Sequence, residues 1–371
     1  MIPFNLIIPS KLGIESLTAQ EIRDLGYEDM EVKNGEIEVK ADALALVRLN
    51  LWLRTAERVF LKLSEFPATT FDELFEGIKK IPWADFLPKD AQAHVFSKCL
   101  FSTLMSDRTV QSIGKKAILE SLKKVYKLEQ FPETGIEFKI HVEVLHDQAR
   151  ILLDSSGAGL HKRGYRAHAG EAPLRETIAA AMVMLSRWSP PFPLIDPFCG
   201  SGTIPIEAAL IGTNTAPGLN RSFAAEEWAF LDQSLWEKER EEAHSKQKKE
   251  PFLIEGFDAD PEILKVAASN AKKAGIESFV SFSGRPIEQF QFEGRGVVIA
   301  NPPYGERLDD LAKAEEVARA FGKAAAAHPG LRTFILTPHP GFEKLFGRRA
   351  DKNRKIYNGK IKCYLYEYKA K

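Results

Sequence analysis

Asn301, Pro302, Pro303 and Tyr304 follow one another directly after the apolar run Gly296–Ala300 and before Gly305. The two prolines fix φ and carry no backbone N–H, and Asn301, ahead of a proline, is held extended. A stiff loop of this kind at the end of a strand aims the Asn301 amide oxygen, a main-chain carbonyl and the Tyr304 ring at one point. Two hydrogen-bond acceptors and a stacking ring are what a flat base with an exocyclic amine requires. Four-residue motifs also recur as plain proline turns with a surface aromatic, so the loop alone leaves both readings open.

A second stretch narrows the choice. Asp196-Pro197-Phe198-Cys199-Gly200-Ser201-Gly202-Thr203 lies between a strand ending Leu194-Ile195-Asp196 and a helix over Ile204–Ile211. Glycines at 200 and 202 let the backbone approach a ligand and turn sharply, and the helix start presents free N–H groups. A tight strand-to-helix turn without a ligand is the simpler alternative. The spacing matches neither a dinucleotide G-x-G-x-x-G nor a Walker loop with its lysine, which disfavours a phosphate site. The next strand ends Gly256-Phe257-Asp258-Ala259-Asp260, where a carboxylate is placed for a ribose diol. Asp260, ahead of Pro261, is the better helix cap, which leaves Asp258 for the ribose. A nucleoside without phosphates fits S-adenosylmethionine.

These loops must be carried by a chain of 371 residues, long enough for two or three domains, with 44% hydrophobic residues and zero formal net charge. Zero net charge excludes a histone-like binder but not a local basic face. Three scattered cysteines, Cys99, Cys199 and Cys363, predict neither disulfides nor a zinc site, and the eight histidines show no ligand spacing. No metal is expected. There is no signal-like N-terminus and no apolar stretch long enough for a membrane span; a cytoplasmic protein without a membrane partner is expected.

Residues 1–155 alternate short strand and helix patterns, predicting mixed α+β with antiparallel strands. Residues 154–173 form a junction holding the basic-aromatic cluster His161-Lys162-Arg163-Gly164-Tyr165-Arg166. From Pro173 onward, buried strands alternate with helices, predicting an α/β, doubly wound parallel sheet. Asn358-Gly359, between Arg354–Tyr357 and Ile361–Tyr368, predicts an antiparallel hairpin at its edge. The charged run 237–251 is expected to be an exposed helix or loop.

Taken together, the glycine turn Asp196–Thr203 and Asn301-Pro302-Pro303-Tyr304 resemble the motifs of class I S-adenosylmethionine-dependent methyltransferases that modify base amines. Pro173-Leu174-Arg175-Glu176-Thr177 resembles the helix that precedes their first strand. Ser97-Lys98, Thr109–Ser112, Lys115–Ile118, Phe131-Pro132, Leu152–Gly157 and Leu160–Arg166 resemble a THUMP RNA-binding domain and its connector. The likeness covers nearly the whole chain and is nearest to the RlmL-type 23S rRNA guanine-N2 methyltransferases. It implies a ferredoxin-like part at 1–55, a THUMP domain at 56–155, a linker at 156–172 and a Rossmann-like methyltransferase domain at 173–371. It implies cofactor contacts from Thr177, Asp196, Phe198, Gly200, Gly202, Thr203, Asp258, Ala259 and Asn301, and catalytic roles for Asn301, Pro302 and Tyr304. One departure concerns the cofactor's adenine. Many class I enzymes hold it with an aspartate after the third strand, where this chain has Ser283-Gly284-Arg285-Pro286; backbone groups or Glu288 would have to substitute.

The window Lys98–Lys127 holds seven basic residues against Asp107 and Glu120, which points to Lys98, Lys115, Lys116 and Lys123 as phosphate contacts. An ordinary solvated helix face is the competing reading. Arg163 and Arg166 of the connector are further candidate RNA contacts; the alternative is an interdomain latch with Tyr165 packed inside it. The expected reaction is methylation of a guanine N2 amine in RNA, with 23S rRNA the nearest match. Open alternatives are a tRNA guanine-N2 methyltransferase and an adenine-N6 DNA methyltransferase; a non-catalytic RNA-binding factor predicts decay of the glycine turn or of Asn301-Pro302-Pro303-Tyr304, and neither has decayed. The oligomeric state cannot be read from these residues.

Overall fold

Strand patterns in the chain resolve into two seven-stranded sheets in the computed structural model, which describes residues 4–166, 174–305, 308–359 and 361–371. Pro173, the expected start of the last domain, lies outside the described residues. The first sheet holds β1 (Phe4–Pro9), β2 (Met30–Lys33), β3 (Glu36–Ala41), β4 (Phe60–Pro67), β5 (Gln92–Leu100), β6 (Glu137–Leu145) and β7 (Gln148–Asp154). Their order is β2-β3-β1-β4-β7-β6-β5. All pairs are antiparallel except β5–β6. Strands on either side of residue 56 therefore share one sheet, joined where Leu6 pairs with Leu61. β2 has no counterpart in the sequence reading, because Met30-Glu31-Val32-Lys33 is short and mostly exposed, with no buried face to set a period.

The second sheet holds β8 (Leu194–Asp196), β9 (Ile254–Asp258), β10 (Val280–Gly284), β11 (Gly296–Ala300), β12 (Leu331–Thr337), β13 (Lys352–Asn358) and β14 (Ile361–Tyr368), in the order β10-β9-β8-β11-β12-β14-β13. The first five neighbours run parallel, and β14 and β13 are antiparallel. β8 and β11 are buried along their whole length, the continuous apolar pattern of strands covered on both faces. β8 leads to β9 and β10 on one side, and β11 leads to β12 on the other. The strand order thus reverses between β8 and β11, which opens a crevice at their carboxyl ends. The hairpin forms as its dipeptide predicts: Asn358 pairs with Ile361, and Gly359 takes φ +62°.

The two halves are packed into each other. Phe223, Trp228, Leu231 and Trp236 follow the second half's helix Thr203–Gly212, yet they belong to the first half's core. Trp228 stacks on Phe138 with centroids 6.2 Å apart. In return Ile14 is buried in the core of the second half. The charged run 237–251 departs from its expected exposure at Glu239 and Ala243. Glu239, on the helix Ser234–Ser245, is buried and takes a two-pronged contact from Arg48 at 2.8 and 3.0 Å. The i, i+3/i+4 placement of Trp236, Glu239 and Ala243 turns this side of the helix inward. Among the described residues no helix is long and apolar enough to cross a membrane.

On β6 the His141 ring stacks on Phe96 (5.2 Å) and meets the edge of Phe60 (4.9 Å). Burial, with Arg58 and Lys139 nearby, pulls its pKa down to about 4 from 6.5. The folded state keeps this imidazole neutral while the unfolded chain protonates it below 6.5. Its contribution is therefore present above pH 6.5 and lost as pH falls towards 4, by on the order of 2–3 kcal/mol at full effect. Urea unfolding of His141→Phe, which keeps a ring but cannot titrate, should show a shallower loss of stability between pH 6.5 and 4.5 than the parent; parallel profiles would disprove the assignment.

Candidate active site

At the ends of β8, β9 and β11 lies a cavity of about 810 Å³. Its walls include Asp196, Phe198, Cys199, Gly200, Ser201 and Thr203 from the glycine turn, Asp258 and Ala259 from β9, and Asn301, Pro303 and Tyr304 from the proline loop. Two motifs about a hundred positions apart in the sequence thus share one crevice because β8 and β11 are neighbours, with Ile195 opposite Val298.

The turn is shaped by its backbone. Gly200 and Gly202 take φ of +50° and +83°, conformations that side-chain-bearing residues rarely adopt. A Cβ on Gly202 would stand 3.0 Å from the Phe282 ring and 3.1 Å from the Ala267 Cβ, so this glycine is needed for close helix packing. A Cβ on Gly200 would meet nothing within 4 Å. Gly202 N–H donates to the Cys199 carbonyl at 2.8 Å, and Cys199 N–H to the Phe257 carbonyl at 2.8 Å. The Asn270 amide donates to the Ser201 carbonyl at 3.0 Å.

Asp258 does more than end its strand. One carboxylate oxygen accepts the Gly200 N–H at 2.9 Å, and the other accepts the Asp260 N–H at 3.0 Å. Asp260 caps the helix Pro261–Ala274 by accepting the Glu262 N–H at 2.8 Å. Asp258 is thus a brace between β9 and the glycine turn, with remaining lone pairs on a residue that lines the cavity. Asp196 accepts the Phe198 N–H at 3.1 Å and is buried. Burial, with the Asp258 charge adding to it, pushes its carboxyl well above the usual range.

The cavity is also lined by residues the sequence reading did not assign, among them Ile263, Ile287, Lys313, Ala314 and Val317. Lys313 and its neighbours sit on the helix Leu308–Ala327, after the proline loop. They carry no local motif, so only the fold brings them here. Arg285 and Glu288 also line the cavity, and the Arg285 guanidinium lies 4.4 Å over the Phe257 ring.

Not every expected site residue faces the cavity. Thr177 is fully buried; among the described residues its hydroxyl has no hydrogen-bond partner and it is not part of the cavity wall. Pro302 is buried behind its neighbours. Of the expected phosphate contacts, Lys98 and Lys116 are exposed. Lys115 is half-buried, bonds the Ala93 carbonyl at 2.8 Å and pairs with Glu133, while Lys123 pairs with Glu120 at 3.3 Å.

The connector corrects the expectation of RNA contacts at Arg163 and Arg166. Arg163 is 4% exposed. It donates to both Glu207 oxygens at 3.3 Å, to the Leu160 carbonyl at 2.7 Å and to the Arg54 carbonyl at 2.6 Å. The Tyr165 hydroxyl donates to Glu207 at 3.1 Å. Arg166 pairs with Glu176 at 2.9 Å and donates to the Thr203 hydroxyl at 2.8 Å. The Arg163 guanidinium is desolvated and spent on internal acceptors, out of reach of a backbone phosphate, while Arg166 is half-buried and engaged with Glu176, Thr203 and Leu174. The latch reading holds. Among the described residues, no group of three or more His, Cys, Asp or Glu side chains could hold a metal ion.

Comparison with known proteins supplies the relatives. Three family models match, described as the RlmL ferredoxin-like domain over residues 5–60, the THUMP domain over 68–154 and the RMKL-like methyltransferase domain over 163–367. A Bacillus subtilis protein named "Putative RNA methyltransferase YpsC" is 45% identical, over 99% of this chain and 96% of its own length. A Listeria monocytogenes structure described as "a predicted N6-adenine-specific DNA methylase" superposes with a TM-score of 0.94 at 43% identity, covering 100% of this chain and 97% of that one. SMU.472, described as "a putative methyltransferase complexed with SAH", gives 0.94 at 40% identity, covering 100% and 99%.

Replacing Asp258 by Asn puts an amide where the carboxylate braces two N–H groups. Whichever way the amide points, one of its N–H faces meets a donor. A loss of about 1–2 kcal/mol is expected in urea unfolding, the cost of one charge-assisted hydrogen bond left unmade. An unchanged midpoint would show that the brace carries no stability.

Proposed function

Because the chain belongs to the RMKL-like methyltransferase family, with RlmL ferredoxin-like and THUMP domains ahead of the catalytic one, we propose that it methylates the exocyclic N2 amine of a guanine in RNA, with 23S rRNA as its substrate and S-adenosylmethionine as donor. The observation that carries the reading is that the proline loop and the glycine turn line one cavity. A THUMP domain and a relative named as an RNA methyltransferase support RNA as substrate. A relative crystallised with SAH supports the donor.

The cavity walls suit that donor. Asp258 would take the ribose hydroxyls, and the open space at Gly200 admits a ligand against the backbone. Ala259, Ile263, Pro286 and Ile287 offer an apolar slot for the adenine, and Glu288 is the carboxylate in the same wall. When bound, S-adenosylmethionine supplies a methyl group on an activated sulfonium. The remaining work falls to the chain. The lone pair of a guanine or adenine amine is delocalised into the ring, so the amine is a poor nucleophile. The Asn301 amide oxygen and a main-chain carbonyl of the proline loop would accept its two hydrogens and draw them out of the ring plane, freeing the lone pair. Stacking on Tyr304 would hold the ring, worth about 1–3 kcal/mol. Catalysis of this kind is positioning and electrostatics. A paired base must first be swung out of its helix. Lys98 and Lys116, exposed on the first half, are the phosphate contacts we assign.

The substrate assignment is tested by giving the protein labelled S-adenosylmethionine with rRNA, tRNA and DNA in separate reactions and identifying the modified nucleoside by mass spectrometry. N2-methylguanine in 23S rRNA is expected. The same nucleoside only in tRNA would keep the chemistry and change the substrate. N6-methyladenine in DNA as the sole product would overturn the proposal. For the clamp, Asn301→Ala should lower the turnover number about 10²–10³-fold, the usual effect of deleting one positioned hydrogen-bonding group. Cofactor affinity by calorimetry should be largely retained, and turnover near the parental rate would refute the role.

A further inference from the structure

We propose that Arg166 is the positioning residue of the cofactor end of this cavity, an inference that rests on the reading of the cavity as a donor site. Its guanidinium joins two parts of the wall. One Nη donates to the Thr203 hydroxyl at 2.8 Å and to the Leu174 carbonyl at 3.1 Å. Both residues line the cavity. Thr203 opens the helix that leaves the glycine turn, and Glu176 opens the helix Glu176–Ser186. The same guanidinium thus sits at two helix N-termini, where a cation is disfavoured by the helix dipoles. Glu176, buried and 2.9 Å away, compensates that charge.

The contact has a direction. The Thr203 hydroxyl accepts from Arg166, which orients its own hydrogen and leaves it a donor; Ser201 Oγ is 3.5 Å away. Three residues before Arg166 in the chain, Arg163 is fastened to the Arg54 carbonyl of the first half and to Glu207, one turn along the same helix as Thr203. The connector therefore carries the position of the first half onto the turn that faces the donor. Glu176 is not among the described residues that line the cavity, and its one ion pair is with Arg166, through which its effect on binding is expected to pass.

The test is calorimetric titration of S-adenosylmethionine and SAH into the full chain and its variants. Arg166→Gln should weaken binding about tenfold, the loss of one charge-assisted hydrogen bond to the loop, and Arg166→Lys should recover part of it. Combined with Thr203→Val, the two losses should be less than additive, because each removes the same contact. Glu176→Gln, a near-isosteric change, should also weaken binding and serves if Arg166→Gln does not fold. Arg48→Gln, which breaks the pair with Glu239 elsewhere between the halves, should lower stability and leave affinity unchanged. No binding by the parent protein would defeat the donor-site reading itself. Parental binding with unchanged affinity in Arg166→Gln and Glu176→Gln would overturn the inference, as would strict additivity with Thr203→Val or an equal loss in Arg48→Gln.

Discussion

Glu207 is a carboxylate at 0% exposure on a helix otherwise made of apolar and small residues, Thr203–Gly212. A buried charge is tolerated only where partners replace the lost water, and removing one partner costs about 3–5 kcal/mol. Arg163 and Tyr165 are those partners. Arg163 is then held by the Leu160 and Arg54 carbonyls. Arg54 in turn donates to the Thr215 carbonyl at 2.8 Å, and its own N–H goes to the buried Glu21. Burial pushes the Glu21 carboxyl up and pulls Arg54 down to about 10. The need to neutralise Glu207 thus fixes the connector, the start of the second half and the end of the first half's second helix, Ala43–Trp52, in one arrangement.

The exchange of hydrophobic segments acts in the same sense. Trp228 and Trp236 are buried in the core of the first half though they belong to the stretch that leads into β9. Arg221, from that stretch, donates to the carbonyls of Ser156, Ala158, Gly159 and Lys162 and lies over the Phe223 ring at 4.8 Å. Gly164 is needed for the same approach: a Cβ there would stand 2.5 Å from the Asn220 carbonyl oxygen. A first half gripped by both core and connector cannot turn freely about the linker. Whatever it binds is therefore presented to the cavity from a set direction.

What the residues disclosed and what they hid follows from the range of each interaction. Period-two and period-3.6 patterns located the strands and helices of the second half, and local turn chemistry located Asp260 as a cap and Asn358-Gly359 as a hairpin. Both motif loops stood out because glycine and proline act on their own backbone. The strand order, which alone brings Asn301 beside Asp196, is a long-range property that no local pattern carries. The same holds for Lys313 and Val317, which look like ordinary positions of an amphipathic helix. Arg163 and Arg166 misled because a basic cluster in sequence gives no sign of burial; the compensating Glu207 and Glu176 lie 44 and 10 positions away. Aromatic residues at 223–236 were silent because their stretch has no period.

A clamp of two acceptors reads an amine, not a base. Guanine N2 and adenine N6 each offer two hydrogens, and each ring can stack on Tyr304. The two bases differ in the groups beside the amine, since guanine N2 is flanked by the N1 hydrogen and the N3 acceptor, whereas adenine N6 lies between a bare N1 and N7. On the proposed reading, the two acceptors of the clamp would not sense that difference while both are spent on the amine. Discrimination must then fall to other groups of the cavity wall, or to how the nucleic acid is delivered. The contacts between the halves favour delivery: if exposed lysines of the first half hold the polymer as proposed, only certain nucleotides would reach the crevice. With zero net charge on the whole chain, that hold has to come from a local face, and long-range attraction adds little. On the proposed reading, the target would be selected by the shape of the folded RNA, with the clamp acting on whichever amine arrives.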